Sequence, residues 1–326
     1  MSKHRDDRSV IAKGVGCAGR TVRVPRVGRS EWCAQRTVRE EMVSHSNHDT
    51  LAKQLAARTA AVEATVAYSV VPLDGGDAIS AHGDARLPTA STFKVYLLAA
   101  VYAADAAGRL SLDERVEYRA EDCTRGSGVL KLLTPGLQPT LRDHARLMIV
   151  VSDNASTNMV IRALGGPPAA HAAVQALPVP LPATQVGGYI SFETPDPGGF
   201  AASSPNDFSA LLSAIYHGRC TGSRTHDAEV YWTLRRQQHR SMIPRYLPCS
   251  EYAEEFGIEE YDRCGSKSGS MPGVRADVGI VETRKRAWAL AVQIRGAPDF
   301  NTGDNHPFNE VIADMSKLVF EAWGRD

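Results

Sequence analysis

The sequence predicts an α/β (α+β) fold in which an antiparallel sheet, built from both ends of the chain, is flanked by helices and carries an inserted all-helical lobe. Alternating apolar residues, typical of strands, occur near the two ends, at about residues 66–79 and 278–294. The segments between them carry apolar residues at helical spacing. A sheet with strands from both termini has to enclose these helices as an insertion. We therefore assign residues 49–89 and 236–326 to a sheet lobe and residues 90–235 to a helical lobe.

The folded domain is predicted to begin with a helix and a hairpin. Asp49 or Thr50 can cap a helix whose apolar residues recur at helical spacing over 51–62. Apolar residues then alternate over 66–70, and an Asp-Gly-Gly turn at 74–76 precedes Ile79. The pattern predicts two paired strands directly after the first helix.

The middle of the chain is predicted to be helical, with one long loop. Residues 91–109 form a helix rich in Ala, Leu and Val that ends at Gly108, and a second apolar helix spans about 141–151. Residues 177–205 are rich in Pro and Gly and are predicted to be an irregular loop. A helix resumes from Pro205 to about residue 217.

The C-terminal part returns to strands and closes with a helix. Apolar residues alternate at 278–280 and again at 288–294, and a basic turn at 284–286 joins the two runs. An amphipathic helix is predicted from about residue 309 to residue 323.

The charge of the chain is balanced overall but uneven along its length. The sequence has 37 basic and 37 acidic side chains, and this balance gives no reason to expect a nucleic acid or a membrane as partner. Residues 1–41 carry ten basic and five acidic side chains, without the apolar run of a secretory signal. We expect residues 1–48 to be a disordered basic extension, with a basic binding arm or a true start at Met42 as alternatives. With no export signal, the expected location is the cytoplasm.

The six cysteines and ten histidines show no pattern of a metal site. The cysteines lie without Cys-x-x-Cys or Cys/His ligand spacing, so we expect free thiols and neither a metal nor another cofactor. No apolar segment approaches the roughly 20 residues that span a bilayer. Nothing in the sequence indicates an assembly, and a monomer is expected.

Three short motifs occur in order along the chain. They are Ser91-Thr92-Phe93-Lys94, Ser152-Asp153-Asn154 and Lys267-Ser268-Gly269. Each has an ordinary explanation when it is taken alone, because serine caps many helices, a polar triplet ends many others, and the third motif suits a loop before a strand. Together they lie at the edges of separate elements, as three parts of one cleft must.

The first motif suits nucleophilic catalysis. Ser91 and Lys94 are three residues apart and therefore lie on one face of the first turn of a helix. The positive end of the helix dipole favours an alkoxide there and disfavours an ammonium group. A buried lysine has a lowered pKa and can act as a base for a neighbouring hydroxyl.

The ordered set of motifs resembles that of the class A β-lactamases and their penicillin-binding-protein relatives. The resemblance covers roughly residues 49–325 and implies a β-lactamase/transpeptidase-like domain that takes a β-lactam or a related carboxylate-bearing ester or amide. It implies that Ser91 is the nucleophile, Lys94 a base and Ser152 a proton relay. The substrate-binding residues that it implies are Asn154, Lys267, Ser268, Gly269, Ser270 and Arg275.

Within this implied set the roles differ. Asn154 would bind the amide side chain of the substrate, and Lys267, Ser268 and Arg275 would hold its carboxylate. The backbone N–H groups of Ser91 and Ser270 would form the oxyanion hole. Arg275 has close to the family's spacing, although an arginine at the start of a strand is also common on protein surfaces.

The sequence departs from the family where the deacylating glutamate is expected. Counting within the family's frame puts the place of this residue at about Gly187-Gly188, where the chain has no acid. Between Asn154 and residue 207 the acidic residues are Glu193 and Asp196. Glu193 is the predicted substitute, and a solvated loop residue is the alternative.

Three functions stay open at this point. The first is a β-lactam hydrolase that works through an acyl-enzyme. The second is a related esterase or peptidase with the same acylation chemistry. The third is a binding module that is acylated and stays acylated. The absent glutamate keeps the second and third functions open, and the third ranks last because no transmembrane helix or signalling domain supports it.

Overall fold

The computed structural model describes residues 47–191, 201–250, 252–258, 261–296, 301 and 303–325. The chain divides into two units, Met1–His45 and Ser46–Asp326. The first unit, and with it most of the predicted basic extension, lies outside the described residues, so the extension stays a prediction. All that follows concerns the second unit.

The described helices fill most of the interval between the strands of the sheet. Their bounds are α1 (residues 47–60), α2 (Lys94–Ala106), α3 (Leu141–Val150), α4 (Asn154–Ala163), α5 (Pro167–Gln175), α6 (Pro205–Tyr216), α7 (Arg224–Arg235) and α8 (Pro307–Val319). A 3₁₀ turn at Ala90–Phe93 leads into α2, and a π turn at Phe320–Gly324 extends α8. The predicted helices are all present, within a few residues at each end.

Five strands form an antiparallel sheet from both ends of the second unit. They are β1 (Thr65–Pro72), β2 (Ile79–Ala81), β6 (Arg263–Met271), β7 (Val274–Glu282) and β8 (Ala287–Arg295), in the order β2-β1-β8-β7-β6. The pairing of β1 with β8 joins the N-terminal hairpin to the C-terminal strands. The predicted fold class is confirmed. A small second sheet joins β3 (Leu87–Pro88), β5 (Ala201–Ser203) and β4 (Gln185–Val186).

Strand β6 is the part of the sheet that the apolar pattern does not predict. Its residues are mostly Gly, Ser and Lys, yet all nine pair with β7. Small residues are needed because α7 packs directly against this strand, and a Cβ on Gly265 would lie 3.0 Å from the Arg235 side chain. The third motif therefore lies within an edge strand and not in a loop before a strand.

The apolar core has two parts, one on each face of the sheet. On one face α2 is central, and ten of its thirteen residues are buried. On the other face α1 and α8 pack against Trp288 of β8. Because α2 runs through the core, any side chain at its first turn lies below the surface, and this includes Lys94.

The second motif lies between two helices. Asp153 caps α4, and its side chain accepts a hydrogen bond from Ser156 N at 2.9 Å. The polar triplet thus ends α3 and begins α4 within three residues. Helices α4, α5 and α7 were not predicted from the sequence. In the part of the chain that the structure describes, no helix is long and apolar enough to cross a bilayer.

Candidate active site

The three motifs meet at one cavity of about 440 Å³. Ser91 lines it from the turn before α2, Ser152 and Asn154 line it from the α3–α4 junction, and Ser268 and Ser270 line it from β6. These elements are far apart in sequence, and the pairing of β6 with β7 and the packing of α2 and α3 bring them together.

Ser91 lies on a constrained turn. Ala90, the residue before it, has a φ of +46°. A non-glycine residue in the left-handed region costs of order 1–3 kcal/mol, which surrounding contacts have to offset. The hydroxyl of the buried Thr92 donates to Thr89 O at 2.7 Å and stabilises the turn. No described residue forms a hydrogen bond with Ser91 Oγ, so the hydroxyl is open to the cavity.

Lys94 is fully buried behind Ser91, and its amine has three partners. Nζ lies 2.8 Å from Ser152 O, 3.1 Å from Ser152 Oγ and 2.8 Å from Asn154 Oδ1. Burial and the nearby charge of Lys267 hold the pKa of Lys94 well below its usual range, against the attraction of Asp153. A neutral amine has two hydrogens and one lone pair, so it can donate to the two carbonyl oxygens and accept from the Ser152 hydroxyl.

The amine network links the first motif to the second and not to Ser91 itself. Ser152 has a φ of +55°, and its carbonyl oxygen also accepts from Ser127 Oγ at 2.8 Å. Asp153 fixes the neighbouring loop by accepting from Val129 N at 2.7 Å and Leu130 N at 2.8 Å. Ser152 is thus held in a strained conformation with its hydroxyl against the amine, where it can pass a proton on.

Gly269 explains how closely β6 approaches the Ser91 turn. A Cβ at this position would lie 2.7 Å from Ser91 N and 2.9 Å from Thr89 O, closer than real Cβ contacts. The strand can lie against the turn only because residue 269 is glycine. This contact brings the backbone of Ser91 beside the strand segment that carries Ser270, as an oxyanion hole requires.

Lys267 lies beneath the cavity and is fully buried. Its Nζ donates to Ser268 O at 2.6 Å, and burial lowers its pKa to about 7 against the attraction of Asp277. Burial in turn raises the pKa of Asp277, whose carboxylate accepts from Ile243 N at 2.9 Å. The positive charge of Lys267 is therefore sensitive to pH near neutrality.

Arg275 does not line the cavity in the described part of the chain. It is fully buried, so it is not the surface arginine that was the alternative. Its guanidinium donates to the carbonyl oxygens of Met271 and Val274, both at 2.7 Å, and to that of Asn301. These contacts hold the turn between β6 and β7. The structure thus pairs Arg275 with Ser270 in the β6–β7 ladder and directs its guanidinium to the turn and not into the described wall of the cavity.

The loop after α5 presents an apolar residue to the cavity. Ile190 is 5% exposed and lines the cavity. Asn158 fixes its backbone on both sides, because Nδ2 donates to Ile190 O at 3.0 Å and Oδ1 accepts from Ile190 N at 2.8 Å. Counting within the family's frame put the place of the deacylating glutamate at about Gly187-Gly188. The residue of this loop that lines the cavity lies two positions further along the chain. Glu193 and Asp196 lie outside the described residues.

The structure adds residues that the sequence analysis missed. Ser127, His239, Asp304 and Asn309 line the cavity, and among its described lining residues Asp304 is the one carboxylate. A Gly-Ser-Gly triplet at 126–128 was a local signal for the first of them. The others had none, because they reach the cavity only through tertiary packing. Within the described residues, no group of three or more His, Cys, Asp or Glu could hold a metal ion.

Comparisons with known proteins point to one family. A family model described as the beta-lactamase enzyme family matches residues 50–323. Among curated proteins, the beta-lactamase L2 of Stenotrophomonas maltophilia is 32% identical over 128 residues, which cover 39% of this chain. The chain spans 42% of the length of that relative.

Solved structures resemble the chain over most of its length. A beta-lactamase from Sphaerobacter thermophilus has a TM-score of 0.70 and 31% identity, over 83% of this chain and 96% of that one. PBP-A has a TM-score of 0.70 and 25% identity, over 84% and 95%. A leucine-to-glutamate variant of PBP-A was solved as an acyl-enzyme complex with penicillin G. It has a TM-score of 0.69 and 25% identity, over 84% of this chain and 96% of that one.

Proposed function

The chain belongs to the beta-lactamase enzyme family of serine hydrolases, and from this premise we propose that it reacts with β-lactams through an acyl-enzyme on Ser91. The observation that carries the proposal is an open Ser91 hydroxyl in the cavity wall with the buried amine of Lys94 behind it, hydrogen-bonded to Ser152 in the same wall. Nucleophile, base and relay lie in adjoining positions, as acyl transfer requires.

In acylation, Ser91 Oγ attacks the ring carbonyl and loses its proton to the neutral amine of Lys94. The amine lies 3.1 Å from Ser152 Oγ, so Ser152 can give its own proton to the ring nitrogen as the C–N bond breaks and recover one from Lys94. The proton of the nucleophile thus ends on the leaving nitrogen. The charge on the carbonyl oxygen is stabilised by the N–H groups of Ser91 and Ser270.

Binding of the substrate uses the remaining wall of the cavity. Asn154 Nδ2 donates to Arg125 O at 2.9 Å, which leaves its second hydrogen for the amide side chain of the substrate. Ser268 and Ser270 offer hydroxyl groups to the substrate carboxylate above the positive charge of Lys267. A small carboxylate-bearing β-lactam, or a related ester or amide, is the substrate class that fits these groups.

Deacylation, the second half of the reaction, has no such set of described residues in the cavity. This favours slow deacylation as a second candidate function. Ile190, and no described acid, lines the cavity from the loop that supplies the glutamate in class A enzymes. A positioned general base contributes typically about 10²–10⁴ in rate, so its absence would prolong the acyl-enzyme. The protein would then act as a penicillin-binding module, whereas fast turnover would fit a role in antibiotic resistance.

The test combines intact-mass measurement with turnover. The protein is mixed with benzylpenicillin and, separately, with a chromogenic cephalosporin. We expect a mass increase of one antibiotic molecule per chain, a burst of about one equivalent, and slower steady turnover. Ser91→Ala should abolish the mass increase, while Ser127→Ala, in the same cavity, should keep it. If Ser91→Ala still gains the mass of the antibiotic, the nucleophile lies elsewhere.

A further inference from the structure

His239 is a basic side chain in the wall of the cavity. Among the described residues that line the cavity, it is the one whose side chain can carry a positive charge. Lys94 and Lys267 are buried beneath the wall, and Arg275 is directed to the turn between β6 and β7. A substrate carboxylate in the cavity would therefore meet His239 as its one directly accessible basic side chain within the described wall.

The position of His239 is fixed from the end of α3. Gln238 N donates to Val150 O at 3.0 Å, and His239 Nε2 lies 3.4 Å from Val151 O. Because a carbonyl oxygen only accepts, Nε2 carries the hydrogen in the neutral ring and Nδ1 carries the lone pair. No described residue bonds to Nδ1, and the side chain is exposed to the cavity. Residue 151 directly precedes Ser152, so the ring stands next to the proposed proton relay.

The charges around His239 make its protonation sensitive to a bound anion. Burial, and then Lys267, hold the pKa of His239 below its ordinary value, and Lys94 acts in the same direction. The hydrogen bond to Val151 and the carboxylate of Asp304 oppose them. With its pKa below the ordinary value, the ring is neutral at pH 7.5. A bound carboxylate would offset the two lysines and favour the protonated ring.

We infer that His239 is a substrate-binding residue that gives the cavity a second, pH-dependent carboxylate contact. The inference rests on the proposed function, since it concerns the same substrate. When Nδ1 is protonated, it donates a charge-assisted hydrogen bond to the substrate carboxylate, beside Ser268 and Ser270. A substrate whose carboxylate is esterified gains nothing from this proton. The protein therefore selects carboxylate substrates more strongly in mild acid than at alkaline pH.

The test compares penicillin with its methyl ester between pH 5.5 and pH 8.5. We expect the ratio of their acylation rates to rise about tenfold at the acid end in the wild-type protein. In His239→Gln the ratio should no longer rise at the acid end. It should still change near pH 7, because that change comes from Lys267. His239→Arg should hold the high ratio up to pH 8.5. Gln238→Ala, which changes the neighbouring exposed side chain, should behave like the wild type.

A binding measurement separates this inference from the proposed function. Calorimetry of penicillin with Ser91→Ala, which cannot form the acyl-enzyme, should show about tenfold tighter binding at pH 5.5 than at pH 8. Adding His239→Gln should remove the acid-side part of that difference and leave the part near pH 7 that comes from Lys267. Absence of acylation in the wild type would overturn the proposed function, and the calorimetric comparison would still decide on His239. Equal pH dependence with and without His239, or no measurable binding, would overturn the inference.

Discussion

Replacing Ile190 with glutamate should supply the cavity with a deacylating base. The backbone of residue 190 is held by Asn158 on both sides, at 2.8 and 3.0 Å, so the substitution changes the side chain without freeing the loop. Ile190 already lines the cavity that contains Ser91. A carboxyl group placed there would be mostly buried, which raises its pKa and makes it a better base.

The expected size of the effect follows from these positions. A positioned general base contributes about 10²–10⁴ in rate, so Ile190→Glu should shorten the life of the acyl-enzyme by about that factor. Acylation should change little, because the amine network of Lys94 is untouched. The variant should also lose about 2–3 kcal/mol of apolar burial, and its thermal midpoint should fall by about 5–10 °C.

The assay is a stopped-flow trace with a chromogenic cephalosporin, followed by the mass of the protein over time. Ile190→Gln is the matched control, because it loses the same apolar contacts without gaining a base. Tyr189→Glu adds the acid at the exposed neighbouring position and should retain the burst. A deacylation rate of Ile190→Glu within about threefold of the rate of Ile190→Gln would refute the assignment of residue 190 as a position for the deacylating base.

Three further predictions concern the two halves of the reaction. Lys94→Met should slow acylation by about 10²–10⁴ while circular dichroism shows a folded protein, and unchanged acylation would exclude the lysine as base. Gly269→Ala should slow acylation by about 10²–10³, because its Cβ would lie 2.7 Å from Ser91 N and displace an oxyanion-hole donor. Gly188→Ala, which has no atom within 4 Å of the added Cβ, is the tolerated control in the same rate assay. If Glu193 supplies the base, Glu193→Gln should lengthen the life of the acyl-enzyme in mass spectra and leave acylation unchanged, whereas identical lifetimes would exclude this residue.

Local patterns in the sequence determined helices α1, α2, α3, α6 and α8, the strands other than β6 of the main sheet, and the identity of the reactive motifs. Alternation of apolar residues near both ends predicted the antiparallel sheet, because side chains on a strand face opposite sides in turn. The three-residue spacing of Ser91 and Lys94 placed both at the start of one helix. The order of the three motifs carried the resemblance to the family. All these signals lie within a few neighbouring residues.

Tertiary structure alone decided which side chains reach the cavity and which partners they have. Strand β6 has no apolar alternation and forms because β7 pairs with it along its whole length. Lys94 bonds to Ser152, 58 residues away, and Asn158 fixes Ile190 across 32 residues. The same packing buries Arg275 away from the cavity and exposes His239 to it. Such contacts depend on the free energy of the whole packed core, so no local pattern in the sequence specifies them.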